Sequence, residues 1–375
     1  MGKHGKRVIT LLLAGCLVAV ALPHAVDLDQ LYAASGTSDI STNTDLRETL
    51  LTAMSQRTEE LVFTYKGNVK GLKKQLQSSI DEAMTSDPYI QYTVKSYAFN
   101  YKGSNVSAEV HVKLAYRETK EQTDYVNRKV TNVLKEIIVP GMTNHEKVKA
   151  IHDWIVLNLS YDTSLKKYTA YDGLVTGSTV CQGYSLLAYR MLEQVDIDNR
   201  IVEGTAGDQL HAWNLVKLDG KWYHMDTTWD DPTPDRKGKV SHSYYLLSDN
   251  EMARDHVWTA KGKYPAASAP YREALQTLVK AGGSKATAYQ KLYHALEYSL
   301  YDESDAISGH SALKTKVQSV LKDGGTSLTF RYKGTETGLV EDLQDLYQLG
   351  MKSISYYVSN MQDTVDLRVK ITWTM

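Results

Sequence analysis

The 375 residues carry 43 Lys+Arg against 44 Asp+Glu, 42% apolar residues and only 2 Cys. That length suits two or three domains, and the balanced charge excludes a general nucleic-acid binder, which carries an excess of cations. The composition excludes a fully disordered chain, and two cysteines exclude both a disulfide-stapled scaffold and a Cys-rich zinc module.

Lys3, Lys6 and Arg7 precede an apolar run from Val8 to Leu22, followed by Pro23, His24 and Ala25. A basic start, an apolar stretch and small residues after it read as a secretory signal peptide within residues 1–34. The run falls short of the roughly 20 residues that a membrane span needs. Ala25 and Ala34 both end acceptable cleavage windows. Leu13-Ala14-Gly15-Cys16 also reads as a bacterial lipobox, but the apolar run continues to Leu22, so simple cleavage is preferred to lipidation of Cys16. The expected location is secreted or cell surface, with membrane association only if Cys16 is lipidated or the signal stays uncleaved. Cleavage at either alanine leaves Cys181 as the single thiol.

Ser35 to Thr44 is Ser/Thr-rich and reads as a linker. Leu46, Leu50, Ala53 and Met54 recur at helical spacing over 46–57. Glu60 to Tyr65 is strand-like, and Leu72, Leu76, Ile80 and Ala83 mark a second helix. Tyr89 to Tyr101 and Val106 to Tyr116 alternate as two strands around Gly103. This unit recurs at the far end of the chain. Leu61-Val-Phe-Thr-Tyr-Lys-Gly67 matches Leu328-Thr-Phe-Arg-Tyr-Lys-Gly334, and Gly71, Leu72 and Leu76 reappear as Gly338, Leu339 and Leu343 at the same offset. Val110-His-Val-Lys-Leu-Ala-Tyr116 likewise resembles Leu367-Arg-Val-Lys-Ile-Thr-Trp373. The expectation is two related αβαββ repeat domains, 45–120 and 313–375, flanking a central domain over 121–265 and a helical connector over 266–312. Architectural packing is their preferred role, although their Tyr-rich character permits wall or glycan binding.

In the central region Val126 to Ile138 is amphipathic and helical, Pro140 and Gly141 close it, and Thr143-Asn144-His145-Glu146 opens the next helix with a capping-type start. Gly177-Ser-Thr-Val-Cys181-Gln182-Gly183-Tyr184 then leads into Leu186, Leu187, Tyr189, Met191 and Leu192 at helical spacing. Cys181 therefore sits at a helix start, where free N–H groups and the dipole favour a thiolate and can hold an oxyanion.

Asp219-Gly220 between alternating runs signals a two-residue hairpin. That turn pairs Leu218 with Lys221, sets Trp213 opposite Asp226 and His211 opposite Thr228, and puts His211 and Asp226 on one face as diagonal neighbours. A carboxylate there can orient an imidazole toward a thiol. His224 projects from the same face and is a rival by parity. A zinc site from His211, His224 and Asp226 is conceivable, but a spare thiol at a glycine-flanked helix start fits nucleophilic catalysis better. Asp230-Asp231-Pro232 and Asp235 can be read as calcium ligands, and the preferred reading is a solvated acidic turn.

Val180-Cys181-Gln-Gly-Tyr, Arg200-Ile-Val-Glu-Gly204, His211-Ala-Trp-Asn and Gly220-Lys-Trp-Tyr-His-Met-Asp226-Thr-Thr-Trp229-Asp-Asp-Pro232 together resemble the transglutaminase-like superfamily. The similarity extends to Lys147-Val-Lys-Ala-Ile-His152-Asp-Trp, Tyr161-Asp, Tyr244-Tyr-Leu-Leu-Ser-Asp and His256-Val-Trp258. It implies an α+β chain whose central papain-like core packs a Cys-bearing helix on an antiparallel sheet bearing His and Asp. By that resemblance Cys181 is the nucleophile, His211 the base and Asp226 the orienting acid. Tyr171, Gln182 and Trp213 are candidate substrate-binding residues, while His152 and His256 are read as structural. The implied activity is that of an exported thiol-dependent acyltransferase or cysteine peptidase/amidase of a secreted bacterial type. It would act on protein or peptide amides, cell-wall peptide among them, through a thioester and with no cofactor or metal. The alternative is a non-catalytic surface scaffold or wall-binding module on the same fold.

Overall fold

The computed structural model describes residues 39–232, 238–258, 262–361 and 364–375. The expected signal segment, Cys16 and Asp235 lie outside them. No helix among the described residues is long and apolar enough to cross a membrane. The chain divides into two compact units, one ending at Tyr271 and one spanning Arg272–Met375. Both are mixed α and β.

The first unit opens with β1 (Asp39–Ile40), α1 (Asn43–Ser55), β2 (Glu60–Lys66), α2 (Leu72–Thr85), α3 (Pro88–Thr93), β3 (Val94–Gly103) and β4 (Ser107–Tyr116). The sheet order is β1-β2-β4-β3. Leu46 and Leu50 of α1 and Leu76 and Ile80 of α2 are buried against Phe63, Val110 and Val112 of the sheet. Each such side chain stabilises the unit by about 1.5–3 kcal/mol through burial.

Two expectations change here. The linker expected over 35–44 already contains β1 and the start of α1, where Thr42 Oγ1 accepts the Asp45 N–H at 3.1 Å. The strand expected over 89–101 begins as a helix, because Asp87 caps it and Pro88 takes the first helical position. That start signal outweighs the alternation of the apolar residues.

The unit continues with α4 (Lys120–Ile137), α5 (Asn144–Asn158), β5 (Ser160–Tyr161), α6 (Ala170–Thr176), β6 (Ser178–Thr179), α7 (Cys181–Glu193), β7 (Asn199–Ala206), β8 (Gln209–Leu218), β9 (Lys221–Met225), α8 (Asp249–Met252) and β10 (His256–Trp258). α5 starts on a capping box between Thr143 and Glu146, as the sequence predicts. Four strands form an antiparallel sheet in the order β10-β7-β8-β9. α7 packs on this sheet with both faces buried. Its Ser185 Oγ lies 2.9 Å from the Cys181 and Ala212 carbonyls, and Asn214 Nδ2 donates to the Ser185 carbonyl at 3.1 Å. These bonds set the register of the helix against β8.

Asp219 and Gly220 both hold positive φ, as a primed two-residue turn requires. The ladder runs in the expected register from Leu218↔Lys221 to Asn214↔Met225. Beyond Met225 the chain leaves it, and the Asp226 N–H donates to the Tyr244 carbonyl at 3.0 Å. The expected Trp213–Asp226 and His211–Thr228 pairs therefore do not continue the ladder.

The second unit carries most of α9 (Tyr271–Ala281), then α10 (Ala286–Ala295), β11 (Ala306–Ile307), α11 (Gly309–Lys322), β12 (Ser327–Tyr332), α12 (Glu336–Gln344), β13 (Ser353–Asn360) and β14 (Leu367–Thr374). Its sheet order is β11-β12-β14-β13. Leu313, Phe330, Tyr332, Leu339 and Leu343 fill its core. The residues at the matching offset, Leu46, Phe63, Tyr65, Leu72 and Leu76, fill the core of the N-terminal part of the first unit. The parallel pairs Asp39↔Thr64 and Ala306↔Arg331 fall at the same offset.

Candidate active site

Cys181 is the first residue of α7, behind Val180 as N-cap, and its side chain is buried. The N–H groups of Gly183 and Tyr184 close the first turn on the Val180 carbonyl. Those of Cys181 and Gln182 have no intrahelical partner, as at any helix start. The approach to this turn is locked by Asp162, whose carboxylate accepts the N–H groups of Ser164, Lys166 and Lys167 at 3.1, 2.8 and 2.9 Å. Thr179 Oγ1 lies 3.0 Å from the Lys167 carbonyl and 3.2 Å from that of Thr169.

Gly183 sits inside this lock. A Cβ there would lie 2.0 Å from Thr179 Oγ1 and 2.8 Å from the Thr169 carbonyl. Gly183→Ala is expected to destabilise the protein by about 1–3 kcal/mol through overpacking and to displace the start of α7. Urea unfolding reads the first effect, and a change in Cys181 alkylation rate reads the second.

His211 on β8 and Asp226, just past β9, are both buried, with His211 Nε2 2.6 Å from Asp226 Oδ2. Asp226 is held from four directions. Its Oδ1 accepts the N–H groups of Thr228 and Trp229 at 2.9 and 3.2 Å, and its Oδ2 also receives His256 Nε2 at 3.1 Å. His256 is fixed in turn by Asp255, 2.6 Å from its Nδ1. Burial by itself would raise the Asp226 carboxyl, but the positive imidazole and the hydrogen bonds of His211 and His256 hold it far below the usual carboxylate range. Burial would likewise lower His211. Asp226 beside it, with Cys181 contributing, outweighs burial, and its pKa is pushed up to about 10.

His224, the rival by parity, is held elsewhere. Its Nδ1 accepts the Trp213 indole N–H at 2.9 Å and its Nε2 lies 2.9 Å from Asp249 Oδ1. Burial lowers its pKa. Trp213 is only 1% exposed and stacks on His211 with ring centroids 5.9 Å apart, so it supports the imidazole. Gln182 is also buried, and its side-chain amide donates to the Tyr92 carbonyl at 3.1 Å, tying α7 to α3. Tyr171 lies on α6 with its N–H on Glu118 and its ring edge-on to Tyr125 at 5.5 Å. Gln182 and Trp213 are thus buried in packing, while Tyr171 is half-buried.

Three residues at the site escape the sequence reading. Trp229, 37% exposed, lies against His256 at 4.6 Å and His211 at 6.2 Å between centroids, forming an aromatic rim. Burial, with Cys181 among the nearby charges, pushes the Tyr161 phenol up to about 12, so it stays a proton donor. His256 is a direct partner of Asp226. All three lie in motifs of the sequence, Tyr161-Asp, His256-Val-Trp and Asp226-Thr-Thr-Trp229, which were the available signals but assign them no role at the site.

The acidic turn also differs from expectation. Asp230 and Asp231 are buried, not solvated. Asp230 Oδ2 lies 3.0 Å from His152 Nε2, and Asp231 Oδ2 accepts the Tyr184 hydroxyl at 2.5 Å. Among the described residues two groups have donor atoms close enough to share a cation: His211, Asp226 and His256, and His152, Asp153 and His242.

Residues 131–227 match the family model of the transglutaminase-like superfamily. The matched segment contains Cys181, His211 and Asp226. This segment is the transglutaminase-like core of the chain. Kyphoscoliosis peptidase of Homo sapiens is 29% identical over 115 residues, which are 26% of this chain and 17% of the relative. The Mus musculus protein of that name is 28% identical over 145 residues, 33% of this chain and 21% of its own length. This chain thus spans about a fifth of these curated relatives. A solved structure described as a TGase aligns over 52% of this chain and 61% of its own, at 14% identity and a TM-score of 0.29. The chain is α+β with a transglutaminase-like core.

Proposed function

We propose that this chain is a thiol-dependent enzyme acting on protein or peptide amides. The observation that carries the reading is the buried His211–Asp226 contact of 2.6 Å, on an imidazole that Cys181, at a helix start, also helps to keep protonated. The Cys181 thiolate attacks the acyl carbon of the amide. The resulting oxyanion meets the N–H groups of the first turn of α7 and the Tyr161 hydroxyl. As the C–N bond breaks, His211 gives its proton to the departing amine, leaving a thioester on Cys181. Water or a second amine then attacks the thioester, His211 takes the attacking group's proton, and sulfur leaves as thiolate. Asp226 holds the imidazole in orientation and stabilises its charge throughout. The peptidase name of the curated relatives agrees with hydrolysis. The export-type segment in residues 1–34 supports work at the cell surface or outside the cell.

The test incubates the protein with a glutamine-containing peptide and a labelled primary amine, with Cys181→Ala as control. Turnover that depends on Cys181 is expected. Incorporated label reads transamidation, and hydrolysed product without label reads peptidase or amidase action. Absence of turnover, combined with iodoacetamide labelling of Cys181 at an ordinary thiol's rate and indifferent to His211→Ala, overturns the reading.

A further inference from the structure

A second histidine–carboxylate cluster lies against Asp230, in the turn that follows Asp226. His152 and Asp153 are consecutive on α5, and His242 follows the turn from a separate segment. Asp153 Oδ1 is 3.0 Å from His152 Nδ1 and 2.8 Å from His242 Nε2, and the two imidazoles stack with centroids 5.2 Å apart. The Tyr245 ring packs edge-on against both, at 4.9 and 5.6 Å.

We propose that His152 Nδ1, Asp153 Oδ1 and His242 Nε2 form a binding site for one divalent transition-metal ion of the zinc type, with solvent as the fourth ligand. Four physical features support it. The donor set, two imidazoles and one carboxylate, is one that borderline ions of this class favour. Zn–N and Zn–O bonds of about 2.0–2.1 Å place tetrahedral donors roughly 3.3 Å apart. The 3.0 and 2.8 Å separations are within half an ångström of that, and all three donor atoms lie within 4.8 Å of one another. The outer shell is also in place. His152 turns its other nitrogen, Nε2, to Asp230 Oδ2 at 3.0 Å, and Asp230 is itself buried and fixed by the Tyr244 N–H at 3.0 Å. A carboxylate on the far nitrogen orients a ligating imidazole and raises its basicity. Finally, the cluster has an entry side, since the Asp153 and His242 side chains are 24% and 21% exposed.

Lys149 pairs with the second oxygen of Asp153. It can stay there when Oδ1 binds metal, so the ion need only displace the two imidazole protons that now bridge to Oδ1. The His211–Asp226–His256 group is a poorer host. Asp226 also accepts two backbone N–H groups on its other oxygen, and all three residues are buried. The new site would tie α5 to the segment of His242 and, through Asp230, to the turn of residues 226–230, where the Asp230 N–H donates to the Asp226 carbonyl at 3.2 Å. Its role is to fix that turn from behind.

The test uses the untagged full chain, stripped with chelator and dialysed, then titrated with Co²⁺ as spectroscopic probe and with Zn²⁺ as competitor. The expected result is one Co²⁺ per chain with the intense visible bands of a low-coordinate ion, displaced by Zn²⁺, together with a metal-dependent rise in Tm. Both signals should vanish in His242→Ala and Asp153→Asn and persist in His211→Ala. His242→Gln, which keeps polarity at a partly exposed position, guards against misfolding; it should retain the far-UV spectrum and still lose the Co²⁺ bands. Absence of saturable Co²⁺ binding overturns the proposal and leaves a hydrogen-bonded His–Asp network. So does binding that survives His242→Gln and is lost in His211→Ala, which would put the ion at Asp226.

Discussion

Cys181→Ala is expected to abolish amide turnover, a loss on the order of 10³-fold or more, while the protein still folds. The size of the effect follows from what surrounds the sulfur. Cys181 is the free thiol among the described residues. The nearest hydroxyl on its own helix, Ser185 Oγ, is committed to the Cys181 and Ala212 carbonyls at 2.9 Å and cannot replace it. The helix start and the His211–Asp226 pair would remain, so a residual rate above that of water is expected from positioning alone. Cys181→Ser should fare almost as badly. An imidazole pushed up to about 10 is already protonated at neutral pH. It suits a thiolate partner and is a poor base for a hydroxyl. Steady-state rates and unfolding curves of the two variants check both halves of the expectation, and a serine variant with near-native activity would contradict it.

Asp226→Asn is expected to lower kcat/KM by roughly 10³–10⁴-fold and stability by about 3–5 kcal/mol, the cost of breaking a buried ion pair. The carboxylate oxygens accept from two imidazoles and two backbone N–H groups. An amide offers one acceptor oxygen, so at least one buried donor must lose its partner. The pH dependence gives the sharper reading. His211 has a folded pKa of about 10, raised above an ordinary histidine value near 6.5. A raised pKa contributes stability that is fully present below about pH 6.5 and is lost as pH climbs through 10. The same proton serves the departing amine, so the alkaline limb of kcat/KM should lie near pH 10 in the native protein. With Asp226 neutral the limb should move down toward the ordinary histidine range. A pH–rate profile and denaturant unfolding across pH 6–10 test this; an alkaline limb unmoved by Asp226→Asn would remove Asp226 from its assigned role.

Much of the fold was legible where one local signal dominated. The Asp219-Gly220 turn predicted the hairpin register, and the structure keeps it as far as Asn214↔Met225. Thr143 and Glu146 predicted the start of α5. Local signals failed where two competed, as at Asp87-Pro88, whose helix start overrode an alternating pattern. They also failed where the chain changed partners. Past Met225 the backbone turns to Tyr244, so the diagonal relation of His211 and Asp226 ends in a direct 2.6 Å contact that extrapolated register does not describe.

Composition misleads more than pattern does. Asp230 and Asp231 read as solvated because carboxylates are seldom buried, and yet each is buried with a named donor. Their donors, His152 and Tyr184, lie far from them in sequence, and no local rule joins such residues. For the same reason parity could not separate His211 from His224. Trp213 and Asp249 decide that choice by occupying both nitrogens of His224.

By itself the sequence determined the helix that Cys181 opens, the hairpin bearing His211, and the order of the motifs, because caps, turns and periodicity act within a few residues. Only the tertiary structure decided which imidazole meets which carboxylate, that Trp213 and Gln182 are buried while Trp229 is open, and that His256 and Asp226 are partners. Those outcomes depend on burial and on contacts between distant segments, where an unpaired buried charge is too costly to persist and every polar group must find its complement.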